Sequence, residues 1–217
     1  MSQKNSPYIP ALSFEWLTPL YDLVLKRVMH EETFKRRLIV QAQFDANQRV
    51  LDLGCGTGTL TLMLKRQYPN LDLIGLDGDP KVLEIAREKA NRASTLIQWD
   101  LGMAYDLPYE RYSFDRVVSS LMIHHLTSEN KHLAFKEAFR VLKPGGEFHI
   151  ADFGAPRSLI MKFVVLYMSR LEEAADNMHG RLPIMLKEAG FIGVEEKGNF
   201  STVFGPLSLY KGRKFTP

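Results

Sequence analysis

The chain has 217 residues, 45% of them hydrophobic and 24% charged, with a formal net charge of +3. That is the composition of an ordinary globular protein, long enough to bury a sizeable core, and it suggests one domain over 1–217. Lysine and arginine are scattered except at Lys211-Gly-Arg213-Lys214, so no nucleic-acid footprint is expected. The lone Cys55 leaves neither a disulfide framework nor a cysteine metal site. No basic segment followed by an apolar one opens the chain, and the most apolar run, Leu159 to Leu171, is short and broken by Lys162 and Arg170. A cytoplasmic setting without stable membrane insertion or a bound metal is therefore the expectation.

Residues 1–10 hold two prolines and read as a loose arm. From Ser13 to Phe44 apolar residues recur at three- and four-residue steps, with a break near His30-Glu31-Glu32, and predict two helices. Val50–Leu53 then reads as a short buried strand. Gly54, Gly56 and Gly58 follow at alternate positions, and a helix opens near Thr59 and runs to Gln67. Leu71–Asp77 is a second strand ending in an acid. Asp79-Pro80 is a helix start, because Asp caps and Pro at the first helical position gives up an N–H that has no partner there. Thr95–Asp100 is a third strand ending in an acid, and Gly102–Tyr112 a loop.

Phe114–Ser120 reads as a fourth strand, Ser128–Leu142 as a helix, Lys143-Pro-Gly-Gly146 as a hard stop and Glu147–Phe153 as a fifth strand. Strands alternating with helices call for a parallel sheet with crossover helices. Beyond Phe153 the pattern predicts apolar helices over Leu159–Leu171 and Met178–Ala189 and a strand over Phe191–Lys197. A last strand over Phe200–Phe204 and Leu207–Tyr210 is expected to be interrupted at Gly205-Pro206.

A buried strand that breaks into a glycine-rich turn before a helix brings backbone N–H groups close to an anionic ligand. Two nucleotide readings compete. A dinucleotide fingerprint has the spacing G-x-G-x-x-G with an acid about 20 residues on. Here the spacing is G-x-G-x-G, and Asp77 follows Gly58 by 19 positions. An acid at the end of the second strand suits any ribose, since a carboxylate accepts from both hydroxyls. The discriminating company is Asp52 inside the first strand, Asp100 and Lys143-Pro-Gly-Gly146. Ligands of doubly wound sheets sit beyond the carboxyl ends of the strands, where Gly54–Gly58, Asp77, Asp100 and Ser119–Ser120 all fall.

On Val50-Leu-Asp-Leu-Gly-Cys-Gly-Thr-Gly58, Gly75-Leu-Asp77, Asp100, Phe114-Asp115 with Val117-Val118, and Leu142-Lys-Pro-Gly-Gly146, the chain resembles the class I S-adenosylmethionine-dependent methyltransferases. It is most similar to the ubiquinone and menaquinone branch. The resemblance implies a Rossmann-like, doubly wound, mostly parallel seven-stranded sheet with helices on both faces. An N-terminal helical cap (1–47) would precede the cofactor-binding core (48–153), and a variable acceptor-side region (154–217) would follow it. It also implies roles at the matching positions. Gly54 and Gly56, with Cys55 between them and Asp52 nearby, would approach the methionine portion of the cofactor. Asp77 would bind the ribose hydroxyls, Gly78 or Asp79 would border the adenine, and Asp100 would accept from the adenine amino group beside the Leu101 N–H. Ser119 and Ser120 would meet the methionine end, and Tyr21 would close over the cofactor.

Each position also has a plainer reading. Asp52 would fix the turn's own N–H groups, Cys55 would be a small spacer, Tyr21 would be core, and Asp115 would be structural because it begins its strand. His124 and His125 follow the fourth strand and are the candidates for a base, although successive residues diverge by about 100° on a helix, so at most one is expected to face the site, and in the plainer reading both pack or cap the turn. The apolar segment Leu159–Met168 would be core, the lining for a lipophilic acceptor, or a contact with a membrane surface. The function expected is methyl transfer to a small molecule, apolar or aromatic, such as a quinone-like compound, a phenol or an amine. The alternatives are an NAD(P)-dependent oxidoreductase and a non-catalytic cofactor-binding homologue.

Overall fold

A computed structural model describes residues 31–156, 175–202 and 205–216. The first expected N-terminal helix, Tyr21 and the apolar segment 159–171 lie outside these residues. Helix α1 (Glu31–Ala42) leads into β1 (Arg49–Leu53), α2 (Thr59–Gln67), β2 (Asp72–Asp77), α3 (Pro80–Arg92), β3 (Gln98–Leu101) and β4 (Phe114–Ser120). A 3-10 turn (Ile123–His125), α4 (Ser128–Val141) and β5 (Leu142–Phe153) follow. The chain then forms α5 (Ala175–Met178), α6 (Leu182–Glu188), β6 (Ile192–Thr202) and β7 (Gly205–Arg213). The strands form one sheet in the order β3-β2-β1-β4-β5-β7-β6. The pairs up to β5 are parallel, and β7 is antiparallel to both β5 and β6. This is the mostly parallel, Rossmann-like sheet that the sequence predicts.

Strand periodicity divides the core into two layers. Leu51, Leu53, Ile74, Leu76, Val117, Phe148 and Ile150 face α4 and α6 in one cluster. Val50, Leu73, Val118, Ala151, Leu207 and Leu209 face α1 and α2 in the other. Helices therefore cover both faces, as near-continuous apolar runs in parallel strands require. The order reverses direction between β1 and β4, and the strand ends at that point frame a crevice.

Three elements differ from expectation. Lys143-Pro-Gly-Gly146 is not a stop but a bulge within β5: Phe114 pairs with Leu142, and the next register pair is Arg116 with Glu147. A Cβ at Gly146 would come within 2.9 Å of the Lys143 carbonyl and 3.0 Å of the Asp115 carbonyl, so the bulge needs glycine there. Its Lys143 Nζ pairs with Asp115 at 2.9 Å, and Asp115 also accepts from the Arg49 N–H. Asp115 is thus a strut at the edge opposite the strand-end acids. The segment Met178–Ala189 is two helices separated by Gly180 at φ +69°, with Pro183 in the first turn of the second. The last segment is a hairpin of two strands, and Gly205-Pro206 opens β7 instead of interrupting a single strand. Lys214, just past β7, donates to the carbonyls of Phe139 (2.6 Å) and Leu142 (2.8 Å) and so caps the C-terminal end of α4.

Gly75 sits in the middle of β2 where the Trp99 indole crosses the sheet. A Cβ built on Gly75 lies 2.6 Å from the ring. Gly75→Ala is expected to destabilise the fold by about 1–3 kcal/mol through overpacking. Urea unfolding should show the midpoint lowered at unchanged slope, and an unchanged midpoint would mean that Trp99 has room to shift.

Candidate functional site

β1 ends at Leu53 and the chain turns through glycines at φ +70° (Gly54), +53° (Gly56) and +74° (Gly58), a conformation that costs side-chain-bearing residues dearly. The N–H groups of Gly54 and Cys55 both donate to the Leu76 carbonyl, at 2.8 and 3.0 Å, which ties the turn to the end of β2. Met122 fills the space where a Gly54 side chain would be, and the Trp99 ring lies 2.5 Å from a Cβ built on Gly58. Gly56 is different: among the described residues nothing lies within 4 Å of its missing Cβ. The turn is packed at both ends and open in the middle. Cys55 is buried and burial pushes its thiol well up, which makes it a neutral spacer.

Asp77 organises the opening. Its Oδ2 accepts from Gly56 N–H at 2.8 Å and its Oδ1 from Asp79 N–H at 3.0 Å. Burial raises its carboxyl, and these backbone bonds partly offset that. Asp79 caps α3, accepting from Lys81 N–H at 2.8 Å, and Gly78 lies between the two acids. The fixing of a turn N–H assigned on sequence to Asp52 therefore belongs to Asp77.

Asp52 is buried, with Oδ2 accepting from the Thr61 hydroxyl at 2.6 Å. Among the described residues its Oδ1 has no partner. Burial pushes the carboxyl up to about 6, with Thr61 and Lys35 pulling it back down. A buried carboxylate oxygen with no donor is costly unless a ligand supplies one.

Asp100 stands beside the turn through the β2–β3 pairing, opposite Leu76. Its Oδ2 accepts from the Tyr109 hydroxyl at 2.8 Å and from Gln98 Nε2 at 2.9 Å. Leu101 is 58% exposed at the rim. On the other side of the switch point, Ser119 is buried and donates to the Leu53 carbonyl at 2.8 Å, so its side chain braces β1 against β4. The Ser120 hydroxyl is buried and has no partner among the described residues. Leu121 follows at φ +56°, strained backbone for a leucine at the mouth of the crevice.

The two histidines separate clearly. His124 Nδ1 lies 2.8 Å from Asp152 Oδ1, a carboxylate that also accepts from the N–H groups of Ile123 (2.8 Å) and Phe153 (2.7 Å). Asn177 Nδ2 reaches the same oxygen at 3.1 Å. Burial raises Asp152, but His124 and the Phe153 N–H more than offset it, so the group stays ionised. An ionised Asp152 can only accept, so His124 donates to it from Nδ1 and Nε2 is the ring nitrogen outside that pair. His125 stacks 4.0 Å from His124 and is pushed down to about 4, first by burial and then by its neighbour. Elsewhere, His149 is buried between Gln41 and Glu147 and His179 is exposed.

The structure thus brings Asp52, Gly54, Cys55, Gly56, Asp77, Gly78, Asp79, Asp100, Leu101, Ser119, Ser120, His124 and His125 to one edge. Sequence reading missed Asp152, Asn177, Met122 and Tyr109. Asp152 had the same signal as Asp77 and Asp100, an acid closing a strand. The other three had none, because tertiary packing alone places them. Among the described residues no cluster of His, Cys, Asp or Glu could hold a metal ion, and no helix is long and apolar enough to cross a membrane.

The residues fit a positively charged nucleoside ligand. The open glycine and the backbone-oriented Asp77 suit a ribose, and the partnerless Asp52 oxygen suits an ammonium. A family profile described as a methyltransferase domain matches residues 50–146. The chain is 34% identical over 148 residues to the demethylmenaquinone methyltransferase of Deinococcus radiodurans, covering 67% of this chain and 60% of that protein. It is 31% identical over 187 residues to an uncharacterized methyltransferase of Synechocystis, covering 84% of this chain and 85% of that one. The chain therefore spans less than two thirds of the Deinococcus protein. The fold matches the YcgJ protein of Bacillus subtilis (TM-score 0.68, 20% identity, 84% of this chain and 98% of that one). It also matches the phosphoethanolamine N-methyltransferase 2 of Haemonchus contortus in complex with S-adenosylhomocysteine (TM-score 0.72, 18% identity, 85% and 53%). The mostly parallel sheet agrees with these likenesses, and the chain belongs to the class I S-adenosylmethionine-dependent methyltransferases.

Proposed function

We propose that this chain is, as a single domain, a methyltransferase that binds S-adenosylmethionine and methylates a small acceptor with an ionisable hydroxyl or amine, a quinol or phenol foremost. The observation that carries the reading is the convergence of the open Gly56, the backbone-oriented Asp77, the partnerless Asp52 oxygen and Asp100 at one sheet edge. In this reading Asp77 holds the ribose hydroxyls and Asp100 the adenine amino group. Asp52 answers the α-ammonium, Gly54 to Gly56 cradle the methionine end, and Ser119 and Ser120 line it. The quinol preference rests on the names of the demethylmenaquinone methyltransferases it is similar to. A cytoplasmic setting without a nucleic-acid partner completes the reading, on the scattered charge and single cysteine.

Bound S-adenosylmethionine supplies an electrophilic methyl group on a sulfonium, open to in-line displacement. The protein's part is chiefly alignment and water exclusion, which can provide much of the acceleration. His124 has the further task of taking the acceptor's proton on Nε2 as its nucleophilic atom attacks. Asp152, held by two backbone N–H groups and Asn177, fixes the ring in the required tautomer and steadies the imidazolium that forms. His125, kept neutral by burial, packs beneath it.

Three outcomes are expected. Saturating S-adenosylhomocysteine, at about 100 times its dissociation constant, should stabilise the protein by about 2.7 kcal/mol, a melting shift of roughly 5–10 °C for a chain of this size. Asp77→Ala should lose most of it; a shift with NAD and none with S-adenosylhomocysteine would replace the reading with an oxidoreductase. Asp52, raised in the folded state, keeps its proton where the unfolded chain has lost it, so stability should fall as pH rises from about 4 to about 6. Asp52→Asn should flatten that dependence and stabilise the unliganded protein at pH 7 by something on the order of 1–3 kcal/mol, while weakening S-adenosylhomocysteine. Urea titrations at several pH values read both. Finally, with an acceptor found by screening quinols, phenols and amines against labelled cofactor, His124→Ala should cut turnover about 100-fold or more with cofactor affinity intact. Turnover within a few-fold of wild type would remove His124 as the base.

A further inference from the structure

Asp100 differs from the other strand-end acids in how its two oxygens are treated. At Asp77 each oxygen takes a backbone N–H. At Asp100 both side-chain donors, the Tyr109 hydroxyl at 2.8 Å and Gln98 Nε2 at 2.9 Å, fall on Oδ2, and Oδ1 receives neither. A carboxylate with one oxygen doubly engaged has its plane and rotation set, and its second oxygen remains a pure acceptor.

Tyr109 is itself held on several sides. Its ring meets Phe114 edge-on, with centroids 5.0 Å apart. Its carbonyl accepts from Arg140 Nη1 at 2.7 Å. Arg140 also reaches the Leu107 carbonyl at 3.0 Å and is gripped by Glu137 at 2.7 Å. Glu137 in turn accepts the Leu107 N–H at 2.8 Å. The loop from Leu107 to Tyr109 is thereby pinned to α4 through both a donor and acceptors of its backbone, and the hydroxyl is delivered to Asp100 from a rigid base. Burial and the adjacent carboxylate push the phenol up, so it stays protonated and can only donate to that carboxylate.

We propose that Tyr109 is a positioning residue for base specificity: by occupying Asp100 Oδ2 it aims Oδ1 as the acceptor for the exocyclic amino group of adenine. The inference rests on the assignment of Asp100 to the adenine, and the cofactor's base selectivity is its readout. A fixed lone acceptor favours an amino group and repels a carbonyl at the same place, so a 6-amino purine is selected against a 6-oxo purine. A freely rotating carboxylate would present that acceptor less accurately and lose selectivity along with affinity.

The test is calorimetric titration of wild type, Tyr109→Phe and Asp100→Ala with S-adenosylhomocysteine and with S-inosylhomocysteine, which carries a carbonyl in place of the amino group. Wild type should strongly prefer the adenosyl compound. Tyr109→Phe keeps the ring on Phe114, so its unliganded melting temperature should stay near wild type. Its affinity for the adenosyl compound should fall roughly tenfold while that for the inosyl compound changes less than twofold, so the preference collapses. Equal losses for both compounds, or no loss, would reduce Tyr109 to packing and overturn the proposal. A wild type without preference, or an Asp100→Ala protein that retains it, would instead remove Asp100 from adenine recognition, and the proposal with it. A preference lost in Asp100→Ala but kept in Tyr109→Phe would leave the Asp100 assignment standing and sink only the role of Tyr109.

Discussion

The pair of hydrogen bonds that the Asp77 carboxylate accepts from Gly56 and Asp79 joins the glycine turn, the end of β2 and the cap of α3. A turn with three left-handed glycines is conformationally free in an unfolded chain, and ordering it costs more entropy than ordering any comparable run. Asp77 supplies part of the compensation, and the bonds from Gly54 and Cys55 to Leu76 supply more. With the turn fixed, Met122 can close over Gly54 and Trp99 under Gly58, and the crevice takes its shape from these contacts. Asp77 therefore serves two ends: the group expected to face the ribose also holds the wall of the site in place.

Burying acids together at one edge opposes stability. Asp52 and Asp77 are both raised by burial, and the neighbouring charges of Asp77 and Asp79 add to the rise at Asp52 and Asp77 respectively. Natural proteins tolerate such arrangements where a ligand later supplies the missing charge. Here the layers of Leu, Val and Ile on both faces of the sheet provide the stability that the edge gives up.

Much of the architecture was legible because parallel strands advertise themselves: continuous apolar runs such as Leu73–Leu76, ended by Asp77, leave little room for another reading. The candidate edge followed from the same regularity, since Gly54–Gly58, Asp77, Asp100 and Ser119–Ser120 each close a predicted strand. The distinction between His124 and His125 was not legible, because it depends on Asp152 arriving from β5 across 28 positions. Tyr109 was hidden for the same reason: nothing local in Leu107-Pro-Tyr109 reveals Asp100 as its partner. The Lys143-Pro-Gly-Gly146 bulge defeated local rules outright, since proline and glycine signal a break unless the neighbouring strand provides the pairing. The final hairpin was misread as one strand because its β-propensity runs on both sides of Gly205-Pro206, and propensity has no sense of chain direction.

The position of β7 has a consequence for how the molecule is made. Of the described strands it comes last in sequence yet lies inside the sheet, hydrogen-bonded on one side to β5 and on the other to β6. During synthesis the five parallel strands can assemble as they emerge, but the flank of β5 from Glu147 to Phe153 has no partner until residues 205–213 leave the ribosome. An exposed strand edge carrying Phe148 and Ile150 invites pairing with another chain. The nascent protein is most vulnerable to misassembly in that interval, and insertion of β7 ends the hazard by pairing with β5 and β6 together.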